Sequence, residues 1–113
     1  MDPAPIPLEA AAHQLRRNAQ MFMWDPHKLL PPAGYVAIEH GGQQYRACLS
    51  RTALTAKDDA RELFMLSISK NHQLPSAEEC RPIVAAVLPG AAQLSEEPFS
   101  RIFYKIVVPA QTA

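Results

Sequence analysis

The feature that most narrows what this chain can fold into is the pair Gly41-Gly42, set between two runs that alternate apolar and polar residues. Tyr35 to His40 precedes it and Gln43 to Arg51 follows it, which predicts two antiparallel strands joined by a two-residue turn. Glycine tolerates the positive φ that such a turn requires. The turn also sets register: His40 falls opposite Gln43, Ile38 opposite Tyr45, Val36 opposite Ala47 and Gly34 opposite Leu49. Opposed residues share a face, so this set makes one apolar face. Tyr35, Ala37, Glu39, Gln44, Arg46 and Cys48 make the other.

Around this hairpin the chain divides by its periods. Leu8, Ala12, Leu15, Ala19 and Phe22 recur at helical spacing, with His13, Arg16, Arg17 and Gln20 turned away. Pro7 suits a first helical turn and Pro26 forbids continuation, so a helix is expected from about Pro7 to about Trp24. Asp25 to Ala33, with three prolines, reads as an extended connector. Thr52 to Arg61 is polar and reads as a second connector. Leu63 to Lys70 alternates Phe64, Leu66 and Ile68 against Leu63, Met65, Ser67 and Ser69, a third strand.

Ser76-Ala77-Glu78-Glu79 matches a capping box and starts a second helix. Cys80, Ile83, Val84, Val87 and Leu88 form its buried stripe, Pro89-Gly90 ends it, and Pro82 inside it is expected to remove one backbone bond. Gly90 to Pro98 reads as a return loop. Phe99 to Val108 is dense in β-branched and aromatic residues and reads as a central strand.

The expected fold is therefore α+β: a four-stranded, mostly antiparallel sheet with two helices, in the order αβββαβ. Residues 1–6 are expected to form a flexible arm, 7–109 a single domain and 110–113 a tail. At 113 residues, a chain hides roughly two thirds of its unfolded surface on folding, enough for stability without disulfides. Cys48 and Cys80 are accordingly expected to be free thiols. Met1 to Pro7 lacks the charge and apolar run of a secretory signal, and no apolar run is long enough for a membrane span. A cytoplasmic setting follows as an expectation.

Charge excludes little by itself but removes one class of partner. The 11 Lys+Arg balance the 11 Asp+Glu, so no net field draws the protein to nucleic acid or an anionic membrane. The order helix, three strands, helix over Leu8 to Leu88 resembles the double-stranded-RNA-binding domain. That family's basic cluster at the start of the second helix is replaced here by Ser76-Ala77-Glu78-Glu79, and no GPxH-type loop lies between the first strands. Nucleic-acid binding is not expected.

Catalytic patterns are sparse. His13, His27, His40, His72 and the two cysteines lack the spacing of a zinc site, so neither a metal nor a cofactor is expected. No serine sits in a GxSxG elbow, and Glu78 and Glu79 would repel a phosphate from the second helix. Cys80 lies near a helix N-terminus, a place that lowers thiol pKa, yet it also begins the buried stripe. Glu39, His40 and Arg46 offer a polar trio on the hairpin, raw material for acid–base chemistry.

What does stand out is surplus apolar surface. Tyr35, Leu63, Met65, Phe103 and Val107 are assigned to the sheet face away from the second helix, where either the N-terminal helix or another molecule must cover them. Met21, Met23 and Trp24 raise the same question at the helix exit. The leading expectation is a non-enzymatic interaction domain that meets a second copy of itself or another protein through Trp24, Tyr35, Met65, Phe103 and Val107. The rival expectation is a small enzyme or ligand-binding domain with a cleft between the N-terminal helix and the sheet, using Glu39, His40, Arg46 and Cys80 with His27.

Overall fold

A computed structural model of the chain describes residues 4–21, 35–53, 61–70 and 73–107. The elements in order are β1 (Ile6–Pro7), α1 (Leu8–Met21), β2 (Val36–His40), β3 (Gln43–Ala53), β4 (Glu62–Lys70), α2 (Ala77–Val87), β5 (Ala92–Glu96) and β6 (Ser100–Val107). They form an α+β fold with one six-stranded open sheet in the order β1-β2-β3-β4-β6-β5. Every pairing is antiparallel except β1 with β2.

The hairpin register read from the glycine pair holds from Val36 to His40; Gly34, expected opposite Leu49, lies outside the described residues. Val36, Ile38 and His40 face Ala47, Tyr45 and Gln43, and Gly41 and Gly42 take φ of 60° and 78°, which non-glycine residues adopt at a cost. The parity passes onward without a break: Ala47 opposes Ile68, Leu49 opposes Leu66, and Leu66 opposes Phe103. These residues share one face, and both helices pack on it. Ala11, Ala12, Leu15 and Ala19 of α1 join Cys80, Ile83, Val84 and Val87 of α2 in one cluster with Val36, Ile38, Tyr45, Leu66, Ile68 and Phe103. Leu15, Ile38, Leu66, Ile68 and Ile83 are fully enclosed, and burying side chains of this size contributes about 2 kcal/mol each.

The expected four strands are six, in the order βαβββαββ. β5 falls in the stretch read as a return loop, because Ala92–Glu96 is polar and only its pairing with β6 makes it a strand. β1 is two residues beside a proline, below the length at which a period can be seen. Of the expected first helix, Leu8–Met21 is helical; Phe22 to Trp24 lie outside the described residues. The last strand, whose direction the sequence left open, runs antiparallel to β4. Pro82 lies within α2, which continues to Val87.

The larger correction concerns β6. Phe103 and Val107 lie on the helix-covered face, opposite Leu66 and Glu62, and Phe103 is buried. Alternation alone assigned Lys105, and with it Phe103, to the outside. Long cations evade that rule by carrying their charge to the edge of the layer they line. Arg101 Nε donates to the Pro75 carbonyl at 2.6 Å, just before α2, and Lys105 Nζ donates to the Pro89 carbonyl at 2.6 Å, just after it. β6 thus holds both ends of α2, with Phe103 packed between the two straps.

The other end of the sheet is held by α1. Arg16 Nη1 donates to the Ala86 carbonyl at 2.6 Å, so α2, which has no basic residue in its own last turn, takes a cation from α1 for one of its free carbonyls.

Phe103→Ala should lower stability by about 3–4 kcal/mol by opening a core cavity, whereas Tyr104→Ala on the opposite face should cost about 1 kcal/mol. Urea denaturation of the two variants checks this. Equal losses would contradict the face assignment.

Candidate functional site

Because α1 and α2 occupy the same face, no described element covers the other one. Its composition follows from the register. At the hairpin end it carries Glu39, Gln44 and Arg46, all exposed. At the centre it carries small residues, with Cys48 opposite Ser67 and Ser50 opposite Met65. Ala37, Cys48 and Ser50 are buried, yet all three lie outside the core cluster. At the β4–β6 end it is apolar: Met65 opposes Tyr104 and Leu63 opposes Ile106, with Ile102 alongside. Ile106 is 45% exposed, and Tyr35, which precedes β2, is 51% exposed.

The residues singled out from the sequence are therefore divided. Met65 lies on the open face, and Tyr35 is exposed just before β2. Phe103 lies under the helices, Val107 is on the same face of β6, and Trp24 falls outside the described residues. Sequence reasoning missed Ile102, Tyr104 and Ile106 for the open face, since they were read as the inner row of β6.

The polar residues do not gather. Glu39 and His40 are consecutive in β2 and so project to opposite faces, Arg46 is on the open face across from Ala37, and Cys80 is fully buried in the core between helix and sheet. His27 lies outside the described residues. α1 packs directly on β2 and β3 through Ala11, Ala12 and Leu15, so these contacts fill the space where a cleft between helix and sheet would lie. Among the described residues no group of three His, Cys, Asp or Glu side chains gathers as a metal site would need. No described helix is long and apolar enough to cross a membrane.

One polar cluster is tightly built, and it anchors α2. Ser76 and Glu79 form the expected capping box, with Glu79 N donating to Ser76 Oγ at 3.1 Å and Ser76 N donating to Glu79 Oε1 at 2.9 Å. The second carboxylate oxygen accepts from Lys70 Nζ at 2.7 Å and from Tyr45 Oη at 2.9 Å. One carboxylate thereby ties the start of α2 to β3 and β4. The hydrogen bond from Lys70, aided by those from Ser76 and Tyr45, draws the Glu79 carboxyl down to about 2. Burial, then the bond to Glu79, pushes the Tyr45 hydroxyl up to about 12.

Both thiols are unbonded and buried. Burial pushes Cys80 up to about 11, with the Arg101 charge opposing this and the Glu79 charge reinforcing it. Burial also raises Cys48. The helix N-terminus does not activate Cys80, because desolvation of a thiolate outweighs the favourable dipole.

Comparison of the chain with known families, curated proteins and solved structures gives no match.

Two measurements follow. Glu79 has a folded pKa below its ordinary 4.5, so its contribution is present above pH 4.5 and is lost as the pH falls toward 2. The stability gap between wild type and Glu79→Gln should therefore close over that window in urea titrations; a gap independent of pH would contradict the ionised anchor. In native protein, a thiol reagent should modify Cys48 and Cys80 at least about a hundredfold more slowly than in denaturant. Rapid native labelling would contradict their burial.

Proposed function

We propose that this chain is a protein-interaction domain whose open sheet face receives one amphipathic helix of a protein partner. The observation that carries this reading is that both helices pack on one face, leaving Leu63, Met65, Ile102, Tyr104 and Ile106 without a described cover. The shape of that stripe argues for the occupant. It is two adjacent strands wide, roughly 10 Å with its side chains, which is the breadth of a single helix. Five residues of strand extend about 17 Å, matched by about three helical turns.

The chemistry of the stripe points the same way. Its five residues include no charged side chain, and the carboxylate and cation of this face, Glu39 and Arg46, lie at the hairpin end. A partner helix would place Leu, Ile, Val or Phe on its contact side and keep its charges outward. In projection the stretch of face from β2 to β6 covers on the order of 450 Å². That is below the ~800 Å² per side of a standard interface, so a single element suits it better than a whole domain.

A photo-crosslinking residue at position 104 should capture one protein of discrete mass in cells, while the same residue at Arg17, on the exposed side of α1, should not. Met65→Asp should abolish that adduct while the protein keeps its circular dichroism and loses about 1–2 kcal/mol of stability. Equal capture from both positions, or a cross-link only to the chain's own residues 22–34, would sink this reading.

A further inference from the structure

The helical layer stops short of β5. Every residue of that strand but Ser95 is exposed, and β5 is an edge of the sheet among the described residues. Between α2 and this edge lies a hollow of about 340 Å³, lined by Arg81, Val84, Ala85, Gly90, Ala91 and Phe103. Its wall is apolar apart from Arg81, which makes no hydrogen bond or ion pair with a described residue. Two of the four large exposed apolar side chains of the described protein, Leu94 at 54% and Phe99 at 53%, lie on β5 and on the turn that follows it. An edge strand, an apolar hollow and large apolar side chains thus occur together on one side of the molecule.

We propose that two copies of this chain pair β5 to β5, antiparallel, about a two-fold axis at Leu94, so that their sheets join into one. The outward backbone groups of one edge are the natural complement of another. With Leu94 on the axis, Gln93 opposes Ser95 of the second copy and Ala92 opposes its Glu96. One step further, Glu97 opposes Ala91 of the second copy, and the Pro98–Phe99 turn comes beside its Gly90. Ala91 and Gly90 line the hollow, so the turn of each copy comes beside the other's cavity.

Charge agrees with this placement. The exposed Glu97 of one copy approaches the side of the hollow where Arg81 of the other stands, while Glu96 is already held by Arg101 Nη1 at 2.6 Å. The neutral chain carries no net repulsion between copies. The bulge between Gln93 and Ser95 leaves Leu94 without a partner on β6 and restricts the edge to a short run about that residue, which disfavours indiscriminate strand addition. Pairing at the edge leaves the open faces of both copies side by side on one surface. The inference stands on the edge and the hollow, and it does not require the helix-docking reading.

Sedimentation should find a particle of twice 12.5 kDa, and Leu94→Lys, which sets two like charges on the axis, should yield a folded monomer. Arg81→Glu should weaken the dimer about tenfold, and adding Glu97→Arg should restore it. On mild oxidation Leu94→Cys should cross-link to itself, because residues on the axis lie within disulfide reach, whereas Glu96→Cys, whose mate is Ala92, should not. Met65→Asp should leave the dimer intact. A wild type that stays monomeric across the concentration series, cross-linking through Glu96→Cys as readily as through Leu94→Cys, or a dimer lost with Met65→Asp would overturn the edge pairing, the last in favour of stacked open faces.

Discussion

The parity set at the Gly41-Gly42 turn propagates across the sheet, because a side-chain period of two leaves each strand only one choice of face once its neighbour is fixed. From Ile38 and Tyr45 it passes to Ile68, Leu66 and Phe103, and the two helices then have one apolar face to cover. A slip of one residue at the turn would send Ala37, Arg46 and Glu39 under α1 and expose Ile38, which is fully buried. Such a slip would desolvate two charges where the native core has none. The positive φ of both glycines is the local condition for this arrangement.

How far the sequence could be read depended on how local each determinant is. The hairpin, its register and the capping box at Ser76 are written within a few residues, and each matches the structure. β6 is different. Phe99 to Val108 has apolar residues at both parities, so its pattern does not choose a face; the pairing of Leu66 with Phe103 and the straps from Arg101 and Lys105 decide it from elsewhere in the chain. Ala92–Glu96 has no apolar alternation strong enough to mark a strand, and it exists as one because β6 lies beside it. The second role of Glu79 was equally invisible, since Tyr45 is 34 residues away and Lys70 is 9.

The same difference in range explains what was legible of the candidate surface. That the second sheet face would carry surplus apolar residues followed from the alternation of its strands, while whether the N-terminal helix or another molecule covers them did not. Met65 follows the clear parity of β4, opposite Tyr104, whereas Tyr35 only borders β2 and has no strand partner to fix its face. Phe103 and Val107 were placed on that second face from a strand with apolar residues on both faces, and Lys105 between them does not mark an outer face, since its ammonium reaches past the layer to the Pro89 carbonyl. A long cation within a strand is therefore weak evidence about which way its neighbours point. Of the polar quartet, Cys80 combined two readings, helix terminus and buried stripe, and burial governs its chemistry.

Both surfaces proposed to engage partners arise from a mismatch of widths. Helices pack side by side at about 8–10 Å and strands at about 4.8 Å, so two helices cover roughly four strands. With α1 over β2 and β3 and α2 strapped to β6, the cover ends before β5. The overhang exposes the edge and opens the hollow beside Phe103, while both described helices lie on one face, so no described element covers the reverse face. Adding helical cover over β5 would fill the hollow but not the reverse face; covering the reverse face would leave the edge unpaired. The two surfaces are thus independent consequences of one layer geometry, and substitutions at Leu94 and at Met65 act on different assemblies.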